Sequence, residues 1–197
     1  MKRCDLSYRN LFGAVLIGAV FRDIDFSRSN LGTANLKQAD IYNCRFHQAH
    51  MQWSILTEAR LQNNDFTQAN LQFCDFSDTT ITDIDFTSAF FHNAYLGNAV
   101  LSKANCTNAN LRFSTWASSE LSQIKFTAST IQLADFSYAS LHEIDFRRAQ
   151  IFNTDFSGSD FSVADFNAAR LENVNFESTN IDPKYLHTAN WRECTFD

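Results

Sequence analysis

Every fifth residue from Leu6 to Phe196 is apolar, and the phase holds through all 39 positions. Fifteen are Leu, fifteen Phe and five Ile; Trp116, Trp191, Met51 and Cys106 complete the set. Two residues before each stands, in most units, a small side chain: 18 Ala, 6 Ser, 4 Cys and 3 Thr. Between them lies Asp in 11 units and Asn in 9. Ala34-Asn35-Leu36, Ala69-Asn70-Leu71, Ala109-Asn110-Leu111 and Ala164-Asp165-Phe166 show the unit plainly. A period of five is neither the 3.6 of a helix nor the 2.0 of a strand. It requires a chain that turns once in every unit.

On extended backbone, the small and the large apolar residue, two apart, point to the same side. The other three positions then face solvent. A second period of 20, in Phe26, Phe46, Phe66 and Phe86, closes four units into a square coil. Stacked at about 4.8 Å, such coils hydrogen-bond to one another along the whole chain. The four Ile at the small-residue position, Ile24, Ile84, Ile124 and Ile144, share one side, which predicts that this side is the widest. Gly13, Gly18, Gly32, Gly97, Gly158 and Pro183 all occupy outward positions. The expectation is an all-β solenoid of about ten coils, one domain over 1–197 with no inserted domain. An irregular turn is expected at 182–187, where Lys184 cannot point inward unpaired.

The unit resembles the pentapeptide repeat family, whose motif is written A(D/N)LXX, over essentially all of residues 4–197. The resemblance implies a right-handed quadrilateral β-helix. It also brings two functional classes into view, since one scaffold hosts unrelated activities. Quinolone-resistance proteins and the mycobacterial gyrase inhibitor resemble duplex DNA and bind DNA gyrase. Other members are bacterial effectors or immunity factors. This sequence departs from the gyrase-binding members in showing neither protruding loops nor a helix after the repeats.

Charge argues against direct nucleic-acid binding: 16 Lys+Arg against 22 Asp+Glu give a net −6. The column preceding the Phe stack reads Asp5, Asp25, Arg45, Asp65, Asp85, Asn105, Lys125, Asp145, Asp165. Its acids are interrupted by bases and an amide, unlike a sustained phosphate ladder, and Asp and Asn here are expected to bind turn backbone. The longest apolar stretch, Leu11–Phe21, is too short to insert in a membrane, and Asp5 and Arg9 spoil a leader behind Lys2 and Arg3. A cytoplasmic location is expected. Five cysteines do not form a disulfide framework. Cys4, Cys44, Cys74 and Cys194 take the small inward position and Cys106 replaces a Phe, so all read as buried thiols. Cys44, His47 and His50 do not converge as metal ligands must. Ser140, His142 and Glu143 are neighbours, with no third group seen to orient the imidazole. No cofactor, no metal and no enzymatic activity are expected.

Function then falls to the outward surface. One column reads Gly13, Thr33, Trp53, Phe73, Asn93, Phe113, Leu133, Asn153, and outward Phe90 lies on the same side. Trp53, Phe73, Phe90, Phe113 and Leu133 therefore form either a stacked support for the sheet or an interface. Gln52, Gln72 and Arg112 would rim that interface, with Trp53 and Phe73 as anchors. The first coil adds outward Phe12, Val15, Ile17 and Val20, which either contact Met1 or make a dimer. The expected function is a rigid protein-interaction scaffold or effector; the alternative is a DNA-mimicking regulator of a type II topoisomerase.

Overall fold

The computed structural model describes residues 4–197 as a four-sided parallel β-solenoid of about nine turns, slightly fewer than the repeat count suggests. We name the faces by their central residues: face 1 carries Phe26 and Phe46, face 2 Leu31 and Met51, face 3 Leu36 and Leu56, face 4 Ile41 and Leu61. Each residue pairs with the one twenty positions on. On face 4, for instance, Asp40 pairs with Arg60, Leu61 with Ile81 and Thr82 with Ser102, all parallel.

The backbone accounts for its polar groups unit by unit. Phe26 donates its N–H to the Arg45 carbonyl of the next coil, and Asn30 donates to the Arg9 carbonyl of the preceding one. Ser29 closes the turn onto the Phe26 carbonyl at 3.0 Å. Arg28, at the corner, has φ of 57° and donates to the His47 carbonyl. That leaves the Ser27 N–H, which donates to Asp25 Oδ1 at 2.9 Å. The same cap recurs at Thr67 on Asp65, Gln72 on Asn70 and Ser137 on Asp135. The repeated Asp/Asn is thus the fifth hydrogen bond of the unit, the turn role read from the sequence.

Inside, most of the Phe column stacks almost plane to plane, with Phe86 tilted 36° from Phe66. Ring centroids are 4.9 Å apart for Phe26–Phe46, 4.5 Å for Phe46–Phe66 and 5.4 Å for Phe126–Phe146. Cys106 interrupts this column. Trp116 lies on face 3 in the same coil and packs 5.6 Å from both Phe126 and Phe136, so a large ring sits across from the small thiol. Inward hydroxyls cost little because they bond locally: Ser29, Ser119 and Ser159 each donate to the carbonyl three residues back. Among the described residues no buried side-chain N or O atom lacks a partner.

Face 4 explains the Ile column. Its turns open into extended backbone instead of closing tightly, and the small-residue position that follows them is where the four Ile stand. Ile84, Ile124 and Ile144 fill it and are buried. Where Asn64 occupies that place, its Oδ1 accepts from Cys44 N–H at 2.8 Å and its Nδ2 donates to the Ile41 carbonyl at 2.9 Å. At 182–187 the coil is interrupted by a 3₁₀ turn, Pro183–Tyr185, capped by Asp182, and Lys184 turns outward to pair with Asp182.

Two cysteines depart from expectation. Cys4 is exposed and Cys194 only half-buried, because the apolar interior is incomplete at the two extreme coils of the described chain. Cys44, Cys74 and Cys106 are buried, and none of the five forms a disulfide. Burial pushes the Cys74 thiol up to about 12, overcoming its hydrogen bonds with Ser54, and raises Cys106 as well.

Phe66→Ala should cost about 3–5 kcal/mol, the usual price of emptying a large buried site, measured by denaturant unfolding. Asn64→Leu keeps the volume yet removes the buried bonds from Cys44 N–H and to the Ile41 carbonyl, so a loss of about 1–3 kcal/mol is expected in the same assay. Native alkylation followed by mass spectrometry should modify Cys4 first and leave Cys74 and Cys106 unmodified until the chain unfolds. A stoichiometric disulfide, or early labelling of Cys106, would contradict this interior.

Candidate interaction surface

Trp53, Phe73, Phe113 and Leu133 all stand at the corner between faces 2 and 3, with φ of 64°, 59°, 60° and 53°. The left-handed corner directs their side chains away from the core, one coil above another. Trp53 and Phe73 stack with centroids 4.1 Å apart and planes 2° apart. His92 then sets its edge against Phe73 at 6.1 Å and against Phe113 at 5.1 Å, bridging the coil where the corner residue is Asn93. Stacking and exposure coexist: Trp53 remains 58% exposed, Phe113 46% and Leu133 46%. Phe73 departs from the sequence reading, being only partly exposed between its stacking partners.

The structure extends this strip in two ways that the column alone did not reveal. Phe12 lies over Gly32, where an added Cβ would come within 3.1 Å of its ring. Phe12, Gly32, Thr33, His50, Gln52 and Trp53 thus border one shallow depression. The sequence signal was the glycine twenty residues after Phe12. Phe90, 43% exposed, lies not on the corner but in the floor of an open groove along face 2. Gln72 lies in this groove, whose far wall is the corner of Tyr8, Arg28, Gln48 and Gln68. Gln48 Nε2 donates to Gln68 Oε1 at 2.7 Å, and Arg28 Nε donates to Gln48 Oε1 at 2.8 Å. Arg112 likewise donates to Gln132 across one coil. The wall is a continuous ladder of side-chain hydrogen bonds.

The first coil presents Phe12, Val15, Ile17 and Val20, all exposed, with Val15 the most open at 77%. The expected contact with Met1 lies outside the described residues.

Other polar constellations resolve into ladders between coils. His142 Nδ1 bonds Ser162 Oγ, and its Nε2 lies 3.4 Å from Glu143 Oε1. A third group therefore does orient this imidazole, and the hydroxyl partner is Ser162 and not Ser140. All three side chains are exposed, and the contact continues the column in which Ser102 bonds Thr82. A nucleophile needs a site that gathers oxyanion donors and excludes water; Ser162 instead stands open to solvent. No group of three or more His, Cys, Asp or Glu side chains converges on a metal-sized site among the described residues. On face 1, burial raises the Asp145 carboxyl, but hydrogen bonds from Arg147 and Thr127 outweigh it and hold it below its ordinary value. No helix among the described residues is long and apolar enough to cross a membrane.

Comparison with solved structures gives the same fold. The chain superposes on HetL, a pentapeptide repeat protein involved in heterocyst differentiation regulation in the cyanobacterium Nostoc, with a TM-score of 0.61 and 20% identity. That match covers 98% of this chain and 86% of HetL. A trypsin-treated form of QnrB1, a plasmid-mediated fluoroquinolone resistance protein, also gives 0.61, at 15% identity, over 93% of this chain and 91% of QnrB1. At these identities the likeness concerns the fold. Comparison with curated protein sequences gives no match. The model of pentapeptide repeats matches in 8 copies over residues 10–48, 44–83, 81–115, 104–142, 132–167 and 144–182. With nearly the whole β-helix so matched, this chain belongs to the pentapeptide repeat family.

Proposed function

We propose that this protein is a non-catalytic, rigid rod that binds a protein partner through face 2 and its corner with face 3. The observation that carries the reading is the strip from Trp53 to Phe113, which stays half-exposed although its rings stack on one another. Stacking alone would support the sheet. A contiguous exposed aromatic strip, rimmed by Gln52, Gln72 and Arg112, is also what a binding hot spot requires. The scaffold underneath is fixed by inter-coil hydrogen bonds, so a partner meets a preorganised surface.

A second reading is regulation of a type II topoisomerase by DNA mimicry. Its support is the shared fold with QnrB1, a resistance protein. Against it, the Asp side chains of face 1 already accept turn hydrogen bonds, and Arg45 and Lys125 break their run. The exposed Val15, Ile17 and Val20 support a further element of this reading of the surface, self-association through the first coil.

Trp53→Ser combined with Phe73→Ser should leave the melting temperature within a few degrees of wild type and abolish capture of the partner in pull-downs from native lysate. Unchanged capture would remove the interface and leave cross-coil stacking as the role of these rings. A gyrase supercoiling assay with and without a quinolone separates the two functional readings: no effect is expected at micromolar protein, and protection would establish the topoisomerase reading. Val15→Lys with Ile17→Lys should turn any dimer seen by light scattering into monomer, whereas a wild-type monomer would exclude self-association.

A further inference from the structure

The chain carries 22 Asp+Glu, yet the outward columns of face 2 and both its corners contain none from Tyr8 to Asn153. The same columns hold Arg28, Arg112 and Arg148. Acids return to face 2 only beyond this stretch, at Glu172 and Glu193. From this segregation we infer that the ligand of face 2 is an acidic polypeptide segment, lying extended along the rod. The inference rests on the reading of face 2 as a protein-binding surface and names the chemistry of its partner.

Three arguments support it. First, carboxylates are strong acceptors for the hydroxyls and amides of neutral ligands and for the cations of basic ones. A face without them, on a chain with a net charge of −6, is the one place where an anion approaches without like-charge repulsion. Second, the arginines are held but not consumed. Arg28 donates to Gln48 and Tyr8, and Arg112 to Gln132 alone. A guanidinium has five N–H donors, so each retains some for a carboxylate. Third, the spacing suits a peptide. Arg28 and Arg112 stand on opposite edges of face 2, four coils apart, about 19 Å along the rod at the rung spacing of a sheet, so an extended chain that crosses the face obliquely reaches both in about seven residues. Between them run Trp53 and Phe73, on which apolar side chains of the segment can rest, and the Gln48–Gln68 amides, which can meet its backbone.

A polyphosphate fits less well. Asp25, Asp65 and Asp85 stand on adjoining face 1, and a nucleic acid, charged at every nucleotide, would be repelled along its length. An acidic peptide can place its charges opposite the arginines alone.

The test is selection of phage-displayed random 12-residue peptides on the full chain. Recovered peptides are then measured by fluorescence anisotropy on wild type, R28E/R112E, R28Q/R112Q and W53S/F73S. The expected peptides are net negative with apolar residues among the acids. R28E/R112E should weaken them at least tenfold with the melting temperature unchanged, R28Q/R112Q less so, and added salt should weaken the wild-type complex. Charge-balanced or basic peptides, or none at all, would overturn the inference, as would affinity indifferent to R28E/R112E. Peptides weakened by W53S/F73S alone would leave the interface standing without its acidic ligand. Peptides indifferent to both variants would remove the interface too. A labelled 12-mer of oligo(dT) binding more tightly than the peptides would assign the face to nucleic acid instead.

Discussion

The rod depends on a backbone conformation that most residues avoid. At nearly every corner one residue sits in the left-handed region, and the occupants are mostly not glycine: Arg28, Thr33, Gln48, Glu58, Lys103 and Leu133 are examples. Each such residue costs roughly 1–2 kcal/mol, and the cost is incurred once per unit. It is tolerated because the same residue donates its N–H to the next coil, as Gln48 does to Thr67 and Gln68 to Thr87. Corner and ladder stand or fall together. Only a chain whose every unit repeats the corner can register with the coil below, which is why the phase of five survives the whole sequence without an insertion.

That constraint divides the chemistry of the chain. Two inward positions per unit are committed to the core, and the Asp/Asn position is largely committed to capping the turn. The outward positions on either side of the turn are the ones left to vary with a task, and the left-handed corner carries Trp53 and Phe113 as well as the Asn that its geometry favours. Because a bulky residue there is disfavoured by the backbone and contributes nothing to the core, a departure from polarity in one column carries information that a departure in the core would not.

The fold was legible because periodicity reports backbone geometry directly: the inward columns, the stack from Phe26 to Phe86 and the Asp caps follow from register alone. What register does not encode is how a side chain bends once outside. Phe12 reads as an end residue but lies over Gly32; Phe73 reads as exposed but is partly covered by its neighbours; His142 finds Ser162 in the next coil instead of Ser140 beside it. Cys4 fits the inward pattern and is exposed, because a pattern specifies direction while burial needs neighbours on both sides.

The turn type sets where the candidate surface ends. Face 2 keeps tight turns through Ser114, whose N–H closes onto the Leu111 carbonyl, and then opens into extended strands at Thr130–Gln132 and Gln150–Phe152. Asn30, Asn70 and Asn110 cap their turns, but His50 and Phe90 keep the turn tight without an Asx cap, whereas Thr130 and Gln150 stand on opened turns. Leu133 is the first corner residue on the opened stretch and the last apolar member of the strip, and carboxylates reappear beyond it at Glu172. The opening of the turn thus coincides with the end of the aromatic ladder and precedes the return of acid. The rod is uniform in its core but not along its surface: on face 2 the aromatic ladder ends where the turn opens, and acid returns two coils later.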